Sequence, residues 1–189
     1  MRTLQNPVSA TVEIKQSKFI AHLVPYASFE TTLSSLKHEH PKARHFVTAF
    51  RYRNKHGQIV EGSSDDGEPK GTSGKPSLAV LAGHDLIEAA VITVRYFGGT
   101  KLGTGGLVRA YTQAVNEAVT LAELVPFIPQ VKAVFSCGYS DVSQVEYLLR
   151  ECGIAEAEKS FGVSEVRWNV SSGKEAVEAF FKRAGRRVK

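Results

Sequence analysis

Val91-Ile92-Thr93-Val94-Arg95-Tyr96-Phe97-Gly98-Gly99-Thr100-Lys101-Leu102-Gly103-Thr104-Gly105-Gly106 is the stretch whose reading decides the fold. Its first seven residues are the most strand-like run in the chain, β-branched and aromatic with a single interrupting charge. A glycine-dense loop follows, and then a helix signal from Leu107 to about Glu123. On that helix Leu107, Tyr111, Ala114, Ala118 and Leu121 form an apolar stripe. A second glycine-rich loop, Ser63 to Gly74, lies upstream, and ten of the chain's 16 glycines fall between Gly62 and Gly106. Glycine loses the most conformational entropy on folding, so such density answers to positive φ, close backbone approach or room for a ligand. A strand feeding a glycine loop and then a helix N-terminus builds an anion site. A tight turn between packed elements is the other use of the same pattern.

Arg95 sharpens the question. A charge inside an apolar central strand must be paired or must face a cleft. One reading is a salt bridge to Asp65, Asp66 or Glu68. The other is a phosphate clamp with Lys101 and Arg109, where Arg109 occupies a first helical turn that favours anions over cations. A nucleic-acid or phosphate site on this reading comprises Lys70, Arg95, Lys101 and Arg109 with the backbone at Gly98, Gly99, Gly105 and Gly106. The enzymatic alternative takes His45 as a general base facing Asp65 or Asp66, with Asp65, Asp66 and Glu68 as acid/base or metal groups opposite Arg95. Local turn chemistry is a competing use of the acidic loop, because Asp and Ser side chains bond nearby backbone N–H groups.

Familiar site motifs fail when tested. Gly71-Thr72-Ser73-Gly74-Lys75 misses the P-loop, since Pro69 stands at its first glycine and Pro76 where Ser or Thr must meet Mg²⁺. No dinucleotide fingerprint, nucleophile elbow or EF-hand spacing occurs. Cys137 and Cys152 lack metal or redox spacing and read as structural. The leading reading assigns no catalytic residue, metal or cofactor.

The remaining chain places these loops in two domains, 1–128 and 129–189, with Pro126 and Pro129 marking the change of pattern. In the first, strands are expected at Val8 to Ile14, Phe19 to Val24 and Phe46 to Arg53, the last turning through Asn54 to Gly57 into a hairpin. Ser28 would cap a helix from Phe29 to about Glu39, and Pro76 to Ala82 forms a short one. The second domain reads β (Val131 to Cys137), α (Val142 to Glu151), β (Ile154 to Phe161), β (Val163 to Val170), α (Lys174 to Ala184). That order is the ferredoxin-like unit with its last strand short, reduced to Arg186-Arg187-Val188. The class is therefore α+β.

The bulk numbers bound the rest. At 189 residues and 42% hydrophobic content the chain has enough apolar material for real cores. No run approaches the ~20 apolar residues of a membrane span, and the first residues lack a signal-peptide core, so a cytoplasmic protein is expected. Net charge is +5, compatible with RNA, ribosomes or phosphorylated ligands and specific to none. The basic tail from Lys182 to Lys189 suits a solvated helix end.

Ser64 to Pro69, Gly71 to Gly74 and Pro76, together with the long run from Val94 to Tyr111, resemble the YigZ/IMPACT family closely, over about Ser17 to Val125. The resemblance implies an N-terminal domain like domain four of elongation factor G and a small-subunit ribosomal protein. It implies a C-terminal ferredoxin-like domain similar to domain five of that factor. Eukaryotic relatives with an extra N-terminal domain regulate translation by binding an activator of an initiation-factor kinase, a role not expected of this chain. The first expectation is a non-enzymatic protein that binds RNA or the ribosome in translation-associated regulation. An enzyme acting on a phosphorylated metabolite or nucleotide is the alternative. A protein-interaction module, signalled by exposed aromatics at Phe97 or Tyr26, is the third.

Overall fold

The computed structural model describes residues 1–189, which form two compact units, Met1–Phe127 and Ile128–Lys189. The first is built on strands β2 (Val8–Ile14), β3 (Ser17–Pro25), β4 (His45–Arg53), β5 (Ile59–Ser64) and β6 (Ala89–Tyr96). They form one antiparallel sheet in the order β2-β3-β6-β4-β5. Short strands β1 (Arg2–Leu4) and β7 (Leu124–Pro126) pair separately. Helices α1 (Phe29–Glu39), α2 (Gly74–Gly83) and α3 (Gly103–Leu121) complete the unit.

The strand-like run is central because both of its faces are covered. Alternate side chains leave a strand on opposite faces. Ala89 and Val91 join a core with Leu81 of α2 and Ala110, Tyr111, Ala114 and Ala118 of α3. Ala90, Ile92 and Val94 join another with Phe29 and Leu36 of α1. Strand β4 divides likewise, with Val47 and Ala49 in the first core and Phe46 packed in the second. Helices on both sheet faces thus explain the near-continuous apolar reading of β6. Arg95 shares the face of Ala89 and Val91, which turns its side chain toward α3.

Several boundaries differ from the sequence expectations. Strand β6 runs from Ala89 to Tyr96, leaving Phe97 outside it and exposed. Helix α3 begins at Gly103, four residues before Leu107, so Gly105 and Gly106 are helical rather than loop residues. Helix α2 starts at Gly74 because the Asp65 carboxylate accepts the Ser73 and Gly74 amides, supplying the anion that its first turn requires. Ser28 does not cap α1; its hydroxyl donates to the Pro25 carbonyl instead.

The second unit holds β8 (Gln130–Cys137), α4 (Val142–Glu151), β9 (Glu156–Phe161), β10 (Val166–Gly173) and α5 (Lys174–Ala184). Its sheet is antiparallel in the order β8-β10-β9. The third expected strand starts at Val166 rather than Val163, since residues 162–165 make the turn in which the Gly162 amide donates to the Glu165 carbonyl. Beyond α5, Val188 forms one bridge with Cys137 on the outer edge of β8. Phe135, Val145, Leu149, Trp168, Val177 and Phe180 make the core between the sheet and the two helices.

Candidate anion site at the start of the long helix

Three elements converge at the start of α3. Strand β4 brings His45 opposite Arg95 in the register of the sheet. The loop after β5 carries the acidic residues, and the segment Phe97–Leu102 connects β6 to α3. Between them lies a cleft of about 380 Å³, whose lining includes Arg44, His45, Glu68, Arg95, Lys101 and Thr104.

The acidic loop is first a structural device. Asp65 Oδ1 accepts from the Ser73 amide at 3.1 Å, the Ser73 hydroxyl at 2.7 Å and the Gly74 amide at 2.8 Å. Its Oδ2 accepts the Gly71 amide at 2.7 Å. Burial pushes the carboxyl's pKa up, but bonds from Gly71, Ser73 and Gly74 outweigh it and hold the value down at about 2. Asp66 accepts the Phe46 amide at 2.6 Å, which pins the loop to the start of β4. His45 Nδ1 meets the Asp66 backbone carbonyl at 2.7 Å, so its partner is an amide oxygen and not either carboxylate. A base-and-carboxylate pair of His45 with Asp65 or Asp66 is therefore absent.

Arg95 resolves in favour of pairing. Its Nη1 donates to Glu68 Oε1 at 2.5 Å, and the side chains are only 8% and 3% exposed. The Tyr111 hydroxyl donates to the same oxygen at 2.8 Å. Burial, then the Glu68 charge and this bond, drive the Tyr111 pKa far up, so the phenol stays a donor. Glu68 is thus neutralised by Arg95 and held by two donors. It is neither a free base nor a repulsive charge in the cleft. Arg95 in turn is a wall of the site rather than a free phosphate clamp. Its Nε is buried without a hydrogen-bond partner, and its guanidinium lies 5.4 Å from the Phe19 ring centroid and 5.7 Å from that of Phe97.

The remaining charges are cationic. Arg44 and Lys101 are exposed at the cleft. No side chain caps α3, so the first backbone N–H groups of its 19 residues lack intrahelical acceptors and carry the positive end of the dipole. Cations, free N–H groups and a neutralised interior carboxylate make a site suited to an anion.

The other expected site residues fall elsewhere. Lys70 and Arg109 are exposed and do not line this cleft. Gly98 serves packing: a Cβ there would stand 2.0 Å from the Gln16 carbonyl carbon, and its amide already donates to the Ser17 hydroxyl. Gly99 (φ +87°) and Gly103 (φ +72°) hold left-handed conformations that turn the chain into α3. Gly105 and Gly106 lie in the first turn of the helix. Sequence reasoning missed Arg44 and Tyr111. The β4–β6 register sets His45 opposite Arg95, and Arg44, the residue before it, lines the same cleft.

Comparison with known proteins gives the chain its relatives. Residues 15–119 match the family model of the Impact N-terminal domain. IMPACT family member YigZ of Escherichia coli (strain K12) is 40% identical over 149 residues, covering 77% of this chain and 73% of its own. An IMPACT family member of Haemophilus influenzae is 36% identical over 180 residues, covering 92% of this chain and 87% of its own. A crystal structure of a hypothetical protein superposes with a TM-score of 0.74 at 33% identity, covering 100% of this chain and 94% of that one. The chain belongs to the IMPACT family.

Proposed function

We propose that this protein is a cytoplasmic, non-enzymatic RNA-binding protein that acts on the ribosome or its RNA in translation-associated regulation. The observation that carries this reading is the cleft at the start of α3. It offers two unpaired cations, Arg44 and Lys101, and an uncapped helix N-terminus, while Arg95 neutralises the one buried carboxylate. Phosphate contacts of this kind supply sequence-independent affinity. The same geometry counts against the enzymatic alternative. Asp65 and Glu68 are consumed by structural bonds, and His45 is bonded to a backbone carbonyl.

Domain architecture adds a second line of support. In the second unit the order β8-β10-β9, flanked by the Val188 bridge, agrees with a ferredoxin-like reading whose last strand is vestigial. With the first unit it would reproduce the elongation-factor-like pair that the family resemblance implies. This support is fold analogy.

The test is fluorescence anisotropy with labelled single-stranded RNA across a salt series, comparing wild type with Arg44→Ala/Lys101→Ala. Loss of two phosphate contacts flattens the log–log slope by about 1.4 on single strands. An unchanged slope moves the contact elsewhere, to the tail at Lys182, Arg183, Arg186 and Arg187 first. Absence of RNA binding by wild type overturns the proposal.

A further inference from the structure

We infer that the cleft accommodates one unpaired nucleotide, with its phosphate at the N-terminus of α3 between Arg44 and Lys101 and its base on the free face of Phe97. This rests on the anion-site reading above and specifies what the anion belongs to.

Four observations lead there. The cleft, at about 380 Å³, exceeds what a phosphate group fills and falls within the range of small-ligand sites, about 300–1,000 Å³. Part of its wall is apolar, made by Pro69, Leu102 and Leu107. Phe97 stands at the cleft with 52% of its surface exposed, in the segment between β6 and α3. Finally, Arg95 lies against Phe97 from within, its side chain 8% exposed and its Nε unpartnered, so a buried cationic donor backs the ring.

These features have complementary chemistry. The helix N-terminus and two cations favour a phosphate. An aromatic ring with one face held by a guanidinium and the other open is a platform for a base, whatever its sequence. A base already stacked within a duplex has no free face to offer, so the site selects unpaired nucleotides. The same unit occurs in a single-stranded segment of RNA and as a free nucleoside monophosphate.

The experiment uses the whole 189-residue chain and its Phe97→Ala and Phe97→Trp variants. Anisotropy is measured with a labelled uridine 10-mer and with a blunt-ended RNA duplex, and calorimetry with uridine monophosphate and inorganic phosphate. The expected result is that Phe97→Ala weakens 10-mer binding about tenfold while leaving the salt slope intact, and that Phe97→Trp restores it. Duplex binding should be weaker than 10-mer binding and indifferent to residue 97. RNA binding that needs Lys101 but ignores Phe97, or that favours the duplex, overturns this inference and leaves the anion site standing. If wild type binds no RNA yet takes the monophosphate more tightly than phosphate, and through Phe97, RNA recognition fails and the nucleotide site survives. Binding of none of these ligands overturns both.

Discussion

Substitution of Glu68 by Ala removes the partner of a buried guanidinium. Arg95 keeps only 8% of its side-chain surface in solvent, so the orphaned charge has little access to water. Breaking a buried pair from one side costs about 3–5 kcal/mol, mostly the penalty of the charge left behind. With a urea dependence of about 2 kcal/mol per molar, the midpoint of the first unit falls by about 1.5–2.5 M. The companion variant Glu68→Gln/Arg95→Met removes both charges and keeps a carbonyl acceptor for the Tyr111 hydroxyl, so it should recover most of that loss. Hydrogen–deuterium exchange of β6 peptides across a urea series reads the first unit. Fluorescence of Trp168, the single tryptophan, reports the second unit separately. A loss below about 1 kcal/mol for Glu68→Ala would refute the buried-pair account. So would a double variant as unstable as the single one, because the cost would then lie in the loop and not in the charge.

Two further outcomes follow from the loops. The Asp65 carboxyl has a folded pKa of about 2, below its ordinary 3.8, so its contribution to stability is present above pH 3.8 and is lost as pH falls through about 2. Acid unfolding followed by circular dichroism should therefore be less steep between pH 4 and 2 in Asp65→Asn than in wild type. Gly98→Ala places a Cβ 2.0 Å from the backbone at Gln16 and should cost about 3 kcal/mol or more, whereas Gly83→Ala meets nothing within 4 Å and should be neutral or slightly stabilising. Thermal melts of the two variants check the pair, and equal effects would contradict the packing role of Gly98.

Local periodicity made the long elements legible. The β-branched run of β6 and the apolar stripe of α3 declare themselves because burial acts on them at a fixed spacing. The β1–β7 pair did not, because three-residue strands over 120 positions apart carry no local pattern. Helix α3 begins earlier than its apolar stripe predicts because Gly103, Gly105 and Gly106 are poor helix formers whose cost is met by tertiary packing of Leu107, Ala110 and Tyr111. At the site, the conflict at Arg95 was readable, since a charge in an apolar strand needs a partner. Which of three acidic residues supplied it was not, because Glu68 and Tyr111 reach it from positions 27 residues before and 16 after, across the fold. Arg44, the cation that replaces Arg95 as a candidate phosphate contact, stands just before β4 with no motif around it to mark it.

The central claim is that RNA meets the protein at the start of α3, and amide chemical shifts test it most directly. A ¹⁵N-labelled sample titrated with the uridine 10-mer should show its largest shifts at Lys101, Leu102, Gly103, Thr104 and Gly105, with smaller ones at Arg44 and His45. Shifts confined to Lys182–Lys189, or no shift at any amide of α3 at saturating RNA, would contradict the account.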